Sequence, residues 1–104
     1  MKILYATKKL EKICKDKGTR KRFRADLANG VALRHNALEV ADSMDDLRRI
    51  DPSGRWHEVT GNRDGQWAGR LSRNYRLIIK PVRDGMEIVE VEETVKVLDI
   101  EDYH

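Results

Sequence analysis

The sequence has little of what disulfide, zinc or membrane proteins need. Its one cysteine, Cys14, cannot form an internal disulfide and has no second thiol for a zinc site. No apolar stretch approaches the length of a membrane-spanning helix, and the opening MKILYATKK becomes charged too early for a signal peptide. We therefore expect a cytoplasmic protein that does not interact with a membrane and requires no cofactor.

The length of the chain indicates a single domain. A chain of 104 residues is large enough for one modest hydrophobic core, and it contains neither an internal repeat nor a low-complexity linker. We therefore expect one domain over residues 1–104. Within it, Cys14 has helical spacing from Leu10 and Ile13, which favours a small buried hydrophobe over a reactive nucleophile.

Positive charge is concentrated in two blocks of the sequence. Residues 1–40 carry 11 basic and 4 acidic side chains, and residues 55–83 carry 7 basic and 2 acidic ones. Residues 84–104 carry 1 basic and 8 acidic side chains. If the two basic blocks form one face, that face would suit a polyanion such as RNA. The alternative is that the basic side chains, including those of KDKGTRKRFR, are only solvated.

Helical spacing follows a short first strand, MKILYA. We predict a first helix that begins after Thr7 and ends at Gly18, and a second that begins after Thr19 and has a weak point at Asn29 and Gly30. The apolar residues of this second helix are Phe23, Leu27, Val31, Leu38 and Ala41.

A third, short helix is indicated by a capping box. Ser43 followed by Asp46 has the form of such a box, and Asp51, Pro52 and Gly54 predict the end of the helix.

After Gly54 the spacing of apolar residues becomes that of strands. RWHEVT and WAGRLS predict a hairpin whose turn contains Asp64 and Gly65, and YRLIIKPV and MEIVEVEETVKVLDI predict two further strands. The sequence therefore predicts an α+β fold. In it, an N-terminal strand and two to three helices pack on one face of a twisted, mainly antiparallel sheet.

Four short stretches, in a fixed order, carry a family resemblance: WHE, GQW, NYR and the terminal DYH. Together they resemble the HigB-like branch of the RelE/ParE toxin superfamily, and the resemblance covers nearly the whole chain. It implies a RelE-like fold and an endoribonuclease that cuts messenger RNA on the 70S ribosome. It also implies a HigA-like helix-turn-helix antitoxin, and a toxin–antitoxin complex that binds its own operator DNA.

The resemblance implies five catalytic residues: His57, Arg76, Asp102, Tyr103 and His104. Metal-independent attack by the 2′-hydroxyl requires one proton to be removed, another to be supplied, and charge on the phosphorane to be stabilised. We expect His104 to act as general acid or base and Arg76 to hold the scissile phosphate. His57 would share the proton transfer or bind phosphate. Tyr103 would position the nucleotide, and Asp102 would orient a histidine or contact a base.

One position departs from the pattern of the family. Several relatives carry a lysine where this chain has Thr60, so either Arg63 reaches the site from the turn or the protein is a weaker nuclease. We expect Arg63, together with Arg70 and Arg73, to contact RNA, although Arg70 and Arg73 could equally be solvated surface. His35 lies outside every matching motif, and we interpret it as structural or solvated.

Other interpretations remain open at the level of sequence. A ParE-like toxin would inhibit DNA gyrase without a nuclease site, although His57, Arg76 and the DYH ending argue against it. A relative that binds RNA or antitoxin without strong catalysis would account for Thr60. The tail IEDYH could also be solvated, or His104 could be the remainder of a purification tag. No metal is expected, because the tail lacks a second histidine or a cysteine at ligand spacing.

Overall fold

The computed structural model describes residues 1–61, 63–82 and 93–103. Within these ranges no helix is long and apolar enough to cross a membrane. The elements, in chain order, are β1 (Lys2–Tyr5), α1 (Lys8–Lys15), α2 (Lys17–Phe23), α3 (Ala28–Val40), α4 (Met44–Ile50), a 3₁₀ turn (Pro52–Gly54), β2 (His57–Glu58), β3 (Trp67–Arg70), β4 (Tyr75–Val82) and β5 (Thr94–Asp102).

The strands form one mixed sheet in the order β1-β5-β4-β3-β2. β1 runs parallel to β5, and all other neighbours are antiparallel. Side chains from the helices and from one face of the sheet share a core that includes Ile13, Leu38, Leu47, Leu77 and Val97. The predicted α+β fold, with helices on one face of a mainly antiparallel sheet, is therefore confirmed, although the described residues form four helices rather than two or three.

The first helix is confirmed at its start and wrong at its end. The Thr7 hydroxyl accepts a hydrogen bond from the Leu10 amide at 3.1 Å. The helix ends at Lys15, and Asp16 caps the next helix by accepting from the Thr19 amide at 2.8 Å. Gly18, the predicted end, therefore lies inside α2, because the carboxylate two residues earlier satisfies the free amides of a new helix.

The predicted second helix is two helices, α2 and α3, separated by residues 24–27. Gly30, the predicted weak point, lies inside α3, where a Cβ would fall 2.1 Å from the Leu71 carbonyl oxygen. The glycine therefore lets the helix approach the backbone that follows β3, and the close approach outweighs its low helix propensity.

The cap and the end of the short helix α4 are confirmed. The Ser43 hydroxyl accepts from the Asp46 amide at 3.0 Å, and the Asp46 carboxylate accepts from the Asp42 amide at 3.0 Å. The helix ends at Ile50, directly before Asp51 and the 3₁₀ turn.

In the predicted hairpin, the turn is confirmed and the first strand is shorter than expected. Gly65 adopts a positive φ of 73°, β4 covers the whole of YRLIIKPV, and β3 covers the first four residues of WAGRLS. Of RWHEVT, only His57 and Glu58 form a strand, because Arg55 is left-handed and Trp56 is buried against Gly69. Of the last predicted strand, residues 94–100 are confirmed, and residues 86–92 lie outside the described ranges.

Alternation along β4 gives the sheet two faces. Tyr75, Leu77 and Ile79 belong to or pack against the core, as predicted. Arg76 and Ile78 lie on the opposite side, which we call the open face. In register with them, the open face also carries His57, Ala68, Arg70 and Glu101.

A buried ion pair anchors the chain before β2. Arg34 of α3 places its Nε 3.1 Å from Asp51 Oδ2, and it donates to Ser53 Oγ and to the Arg70 carbonyl, both at 3.1 Å. The Trp56 indole donates to the same Asp51 oxygen at 3.0 Å. The network therefore joins α3 and the 3₁₀ turn to the start of β2 and the end of β3.

Candidate active site

Three of the predicted catalytic residues come together on the open face. The His57 and Tyr103 rings have centroids 6.0 Å apart and an interplanar angle of 79°, which is an edge-to-face arrangement. The Arg76 guanidinium carbon lies 5.5 Å from the centroid of the Tyr103 ring. Tyr103 is therefore the common neighbour of a histidine from β2 and an arginine from β4.

Backbone contacts fix the chain that carries Tyr103. β5 pairs with β4 up to Asp102, which lies opposite Tyr75, and the Tyr103 amide then donates to the Asn74 carbonyl. The segment after β5 is thus held against the turn between β3 and β4. This contact places the tyrosine beside Arg76, which follows that turn by two residues.

The Arg76 side chain is half-buried, and one of its nitrogens is held by the turn. Nη1 donates to the carbonyls of Ser72 at 2.8 Å, Tyr75 at 2.9 Å and Arg73 at 3.3 Å. Nε and Nη2 donate to no residue in the described ranges. One edge of a rigid guanidinium is therefore available for two phosphate oxygens.

His57 is exposed, and its hydrogen bond assigns its neutral tautomer. Nδ1 lies 2.9 Å from the Arg55 carbonyl oxygen, which can only accept. Nδ1 therefore carries the proton, and the lone pair of the neutral ring is on Nε2. This ring is suited to remove a proton through Nε2.

Arg63 extends from the turn between β2 and β3 to the open face. Its Nη1 donates to Glu101 Oε1 at 2.8 Å, its Nη2 donates to Glu101 Oε2, and its Nε donates to Gln66 Oε1 at 2.9 Å. Hydrogen bonding to Glu101 raises the pKa of Arg63, so the guanidinium stays charged. The structure therefore brings a turn arginine to the site face, while Thr60 itself is exposed.

Asp102, Arg70 and Arg73 lie at the margin of this cluster. Asp102 is exposed and in register with Tyr75, so alternation directs it to the side opposite Arg76. Arg70 lies opposite Arg76 in the sheet register, and Arg73 is exposed in the adjoining turn. His104 lies outside the described residues, so its catalytic role stays a prediction.

Glu101 was not predicted as a site residue, although it belongs to the IEDYH tail. Its signal in the sequence is alternation, because it is two residues before Tyr103, which directly follows β5, and so lies on the same side. In the parts of the chain that the structure describes, no group of three His, Cys, Asp or Glu side chains could hold a metal ion.

Cys14 and His35, whose side chains could be reactive, are buried in the fold, in line with their interpretation from the sequence. Cys14 is buried, and burial raises the pKa of its thiol to about 11, which keeps it protonated. His35 is buried in α3, accepts from the Tyr5 hydroxyl at 2.7 Å, and has Nδ1 3.0 Å from the Glu39 carboxylate. Neither lies on the open face.

Comparison with known proteins gives a family and similar solved structures. The sequence model described as the RelE-like toxin HigB of type II toxin–antitoxin systems matches residues 4–91, a range that contains His57 and Arg76 and ends before Asp102. A YoeB/ParE toxin from Agrobacterium tumefaciens is similar with a TM-score of 0.54, at 15% identity, over 100% of both chains. That identity supports similarity of fold alone. No curated protein sequence matches the chain.

Proposed function

Because the chain belongs to the RelE-like HigB toxin family of type II toxin–antitoxin systems, we propose that it is a ribosome-dependent endoribonuclease that cleaves translated messenger RNA. The observation that carries the proposal is the meeting of His57, Arg76 and Tyr103 on the open face. A base, a cation and a phenol in one place are the groups that metal-independent RNA cleavage needs.

The proposed reaction begins with removal of the 2′-hydroxyl proton by His57 Nε2. The 2′-oxygen bonds to the adjacent phosphorus, the bond from phosphorus to the 5′-oxygen breaks, and the products are a 2′,3′-cyclic phosphate and a 5′-hydroxyl end. Arg76 stabilises the charge on the phosphorane through its free edge. The proton on Nδ1 supports His57 as the base, which leaves donation of a proton to the 5′-oxygen to His104.

Tyr103 and the arginines of the open face would bind the nucleotide. The phenol ring, which already contacts both His57 and Arg76, would stack on a base or hydrogen-bond to it. Arg63, Arg70 and Arg73 would contact neighbouring phosphates, and Asp102 at the rim would contact a base or orient the terminal histidine. No cofactor or metal takes part.

Toxins of this class act with an antitoxin, and we propose a HigA-like helix-turn-helix protein that joins the toxin in an operator-binding complex in the cytoplasm. The ribosome would be approached through the basic surface of α1 and α2. Its exposed cations are Lys8, Lys9, Lys12, Lys15, Lys17, Lys21 and Arg22. Arg24 extends these cations to the helix side of β4, where its guanidinium lies 4.6 Å from the Tyr75 ring.

The proposal is tested by inducing the chain alone and with its antitoxin. We expect growth arrest, loss of translation and new 5′-hydroxyl ends within translated codons, all relieved by co-expression of the antitoxin. The Arg76→Ala variant should be inactive, whereas Arg49→Ala, which changes an exposed arginine on α4, should remain toxic. Intact messages with blocked gyrase supercoiling would select the ParE-like function instead. Folded protein that binds antitoxin but cuts no message would indicate the noncatalytic relative.

A further inference from the structure

The Arg63–Glu101 pair connects two parts of the candidate site that no backbone pairing connects directly. His57 lies on β2, at the edge of the sheet, and Tyr103 follows β5, with β3 and β4 between these strands. Contact between the two rings therefore depends on the position of the β2–β3 hairpin relative to the C-terminal segment. Arg63 belongs to that hairpin, and Glu101 belongs to the strand that carries Tyr103.

The geometry of Arg63 differs from that of an ordinary surface pair. All three of its nitrogen atoms are engaged, two by Glu101 and one by Gln66, and both charged side chains are about one-third exposed. An ion pair between mobile, exposed side chains makes fewer contacts and does little to hold the segments that carry them in place. Bidentate pairing fixes the orientation of the guanidinium as well as its distance, so the link can hold a loop in one place.

The charge of Glu101 gives the pair a second consequence. Glu101 lies opposite Arg76 in the sheet register, on the face where a phosphate would bind. An unpaired carboxylate at that position would repel a phosphate and compete for Arg76. Pairing with Arg63 neutralises the carboxylate and keeps Arg76 available.

We propose that Glu101 is a positioning residue, which acts through Arg63 to hold the β2–β3 hairpin against the C-terminal segment and so sets the distance between His57 and Tyr103. This inference rests on the proposed nuclease function for its effect on catalysis. The positioning itself is a property of the free protein.

The central test measures cleavage on programmed ribosomes together with the geometry of the free protein. The Glu101→Gln variant keeps the shape of the side chain and removes its charge. We expect a rate at saturating ribosome that is roughly 10- to 100-fold lower, with a half-saturating concentration changed by less than about 2-fold, because a misplaced base slows chemistry more than binding. The nuclear Overhauser contact between the His57 and Tyr103 rings should weaken in the same variant.

Two further variants separate positioning from general damage. Glu39→Gln removes an exposed carboxylate on α3, 3.0 Å from His35 Nδ1, outside both the site and the basic surface, and should match the wild type in both measurements. Exchange of the charges, Arg63→Glu with Glu101→Arg, should restore the ring contact and part of the rate lost in Glu101→Arg alone. This exchange tests the link even if a single variant folds poorly.

The outcomes distinguish the positioning role from the nuclease function. A wild type that cuts no message contradicts the proposed function, while the ring contact in Glu101→Gln still tests the link. A Glu101→Gln protein that retains both the ring contact and the wild-type rate would overturn the inference. So would a faster rate, because it would show that the carboxylate only repels RNA.

Discussion

The helix side and the open face of the sheet use the same residue types in opposite ways. On the helix side, His35 is buried and both ring nitrogens have protein partners. His57 on the open face is exposed, and among the described residues it uses only Nδ1. Arg34 is buried, its two Nη atoms donate to protein oxygens, and its Nε pairs in charge with Asp51 without a hydrogen bond. Arg76 leaves one edge free within the described residues. Polar groups that the fold has already satisfied stabilise it; those with an unused donor or acceptor can act on a ligand.

The largest effect that we predict tests the open face. Replacing His57 by Gln should lower cleavage by about 10²- to 10⁴-fold, because the amide cannot accept a proton as imidazole does. The unfolding free energy should change little, since the ring is exposed and makes one hydrogen bond. Single-turnover cleavage and urea denaturation measure the two quantities. A variant that cuts at the wild-type rate would remove His57 from the chemistry and leave His104 as the base.

The next largest effect tests the helix side. Arg34→Met should lower the unfolding free energy by about 3–5 kcal/mol, because it leaves the Asp51 carboxylate buried without its cation. Arg49→Met, which breaks an exposed pair with Asp46, should change stability little. Chemical denaturation compares the two. Equal stability in both variants would show that the buried network does not anchor the fold.

Two Gly→Ala variants should have effects on the unfolding free energy that are smaller than that of Arg34→Met. Gly30→Ala should destabilise the protein by about 1–3 kcal/mol, because the new methyl group would overlap the Leu71 carbonyl. Gly18→Ala should be neutral or stabilising by up to about 1 kcal/mol, because its nearest neighbour is the flexible end of Arg22, at 3.2 Å. Thermal unfolding distinguishes them, and a stabilising Gly30→Ala would contradict the close helix approach.

The smallest effect concerns pH. Burial lowers the pKa of His35, partly opposed by Glu39, while Arg20 and Lys15 lower it further. The unfolded chain therefore binds the proton more readily, and the unfolding free energy should fall as pH drops below about 6.5, the ordinary value for histidine. It should level off once the pH is below the folded pKa. His35→Gln should have a flatter profile over this range, and an identical profile would assign the pH dependence to other groups.

The features of the fold that could be predicted from sequence are local ones. The caps at Thr7 and Ser43 and the hairpin turn at Gly65 each depend on residues within a few positions of one another. The apolar spacing does not predict the break between α2 and α3, because it continues across residues 24–27. The start of α2 is earlier in the chain than predicted, because Asp16 rather than Thr19 caps it. Local propensity predicts a weak point at Gly30. The contact that explains the glycine is with the backbone at Leu71, 41 residues away, and neighbouring residues do not indicate it.

The candidate site shows the same division. Residue types and their order in WHE, NYR and DYH predicted His57, Arg76 and Tyr103, and the structure brings these three side chains together. Alternation places Glu101 on the same side as Tyr103, but its role depends on Arg63, which is 38 residues away, so local patterns do not single it out. Arg34 was counted only as part of a basic block, yet it is buried against Asp51.

By itself, the sequence determined the α+β class, the caps, the turns and the chemistry that the open face carries, because periodicity and hydrogen-bonding capacity are properties of neighbouring residues. Only the tertiary structure decided which histidine and which arginine remain available. That choice depends on burial and on partners distant in the chain, which are fixed when the helices cover one face of the sheet and the β2–β3 turn brings Arg63 to Glu101 on the other.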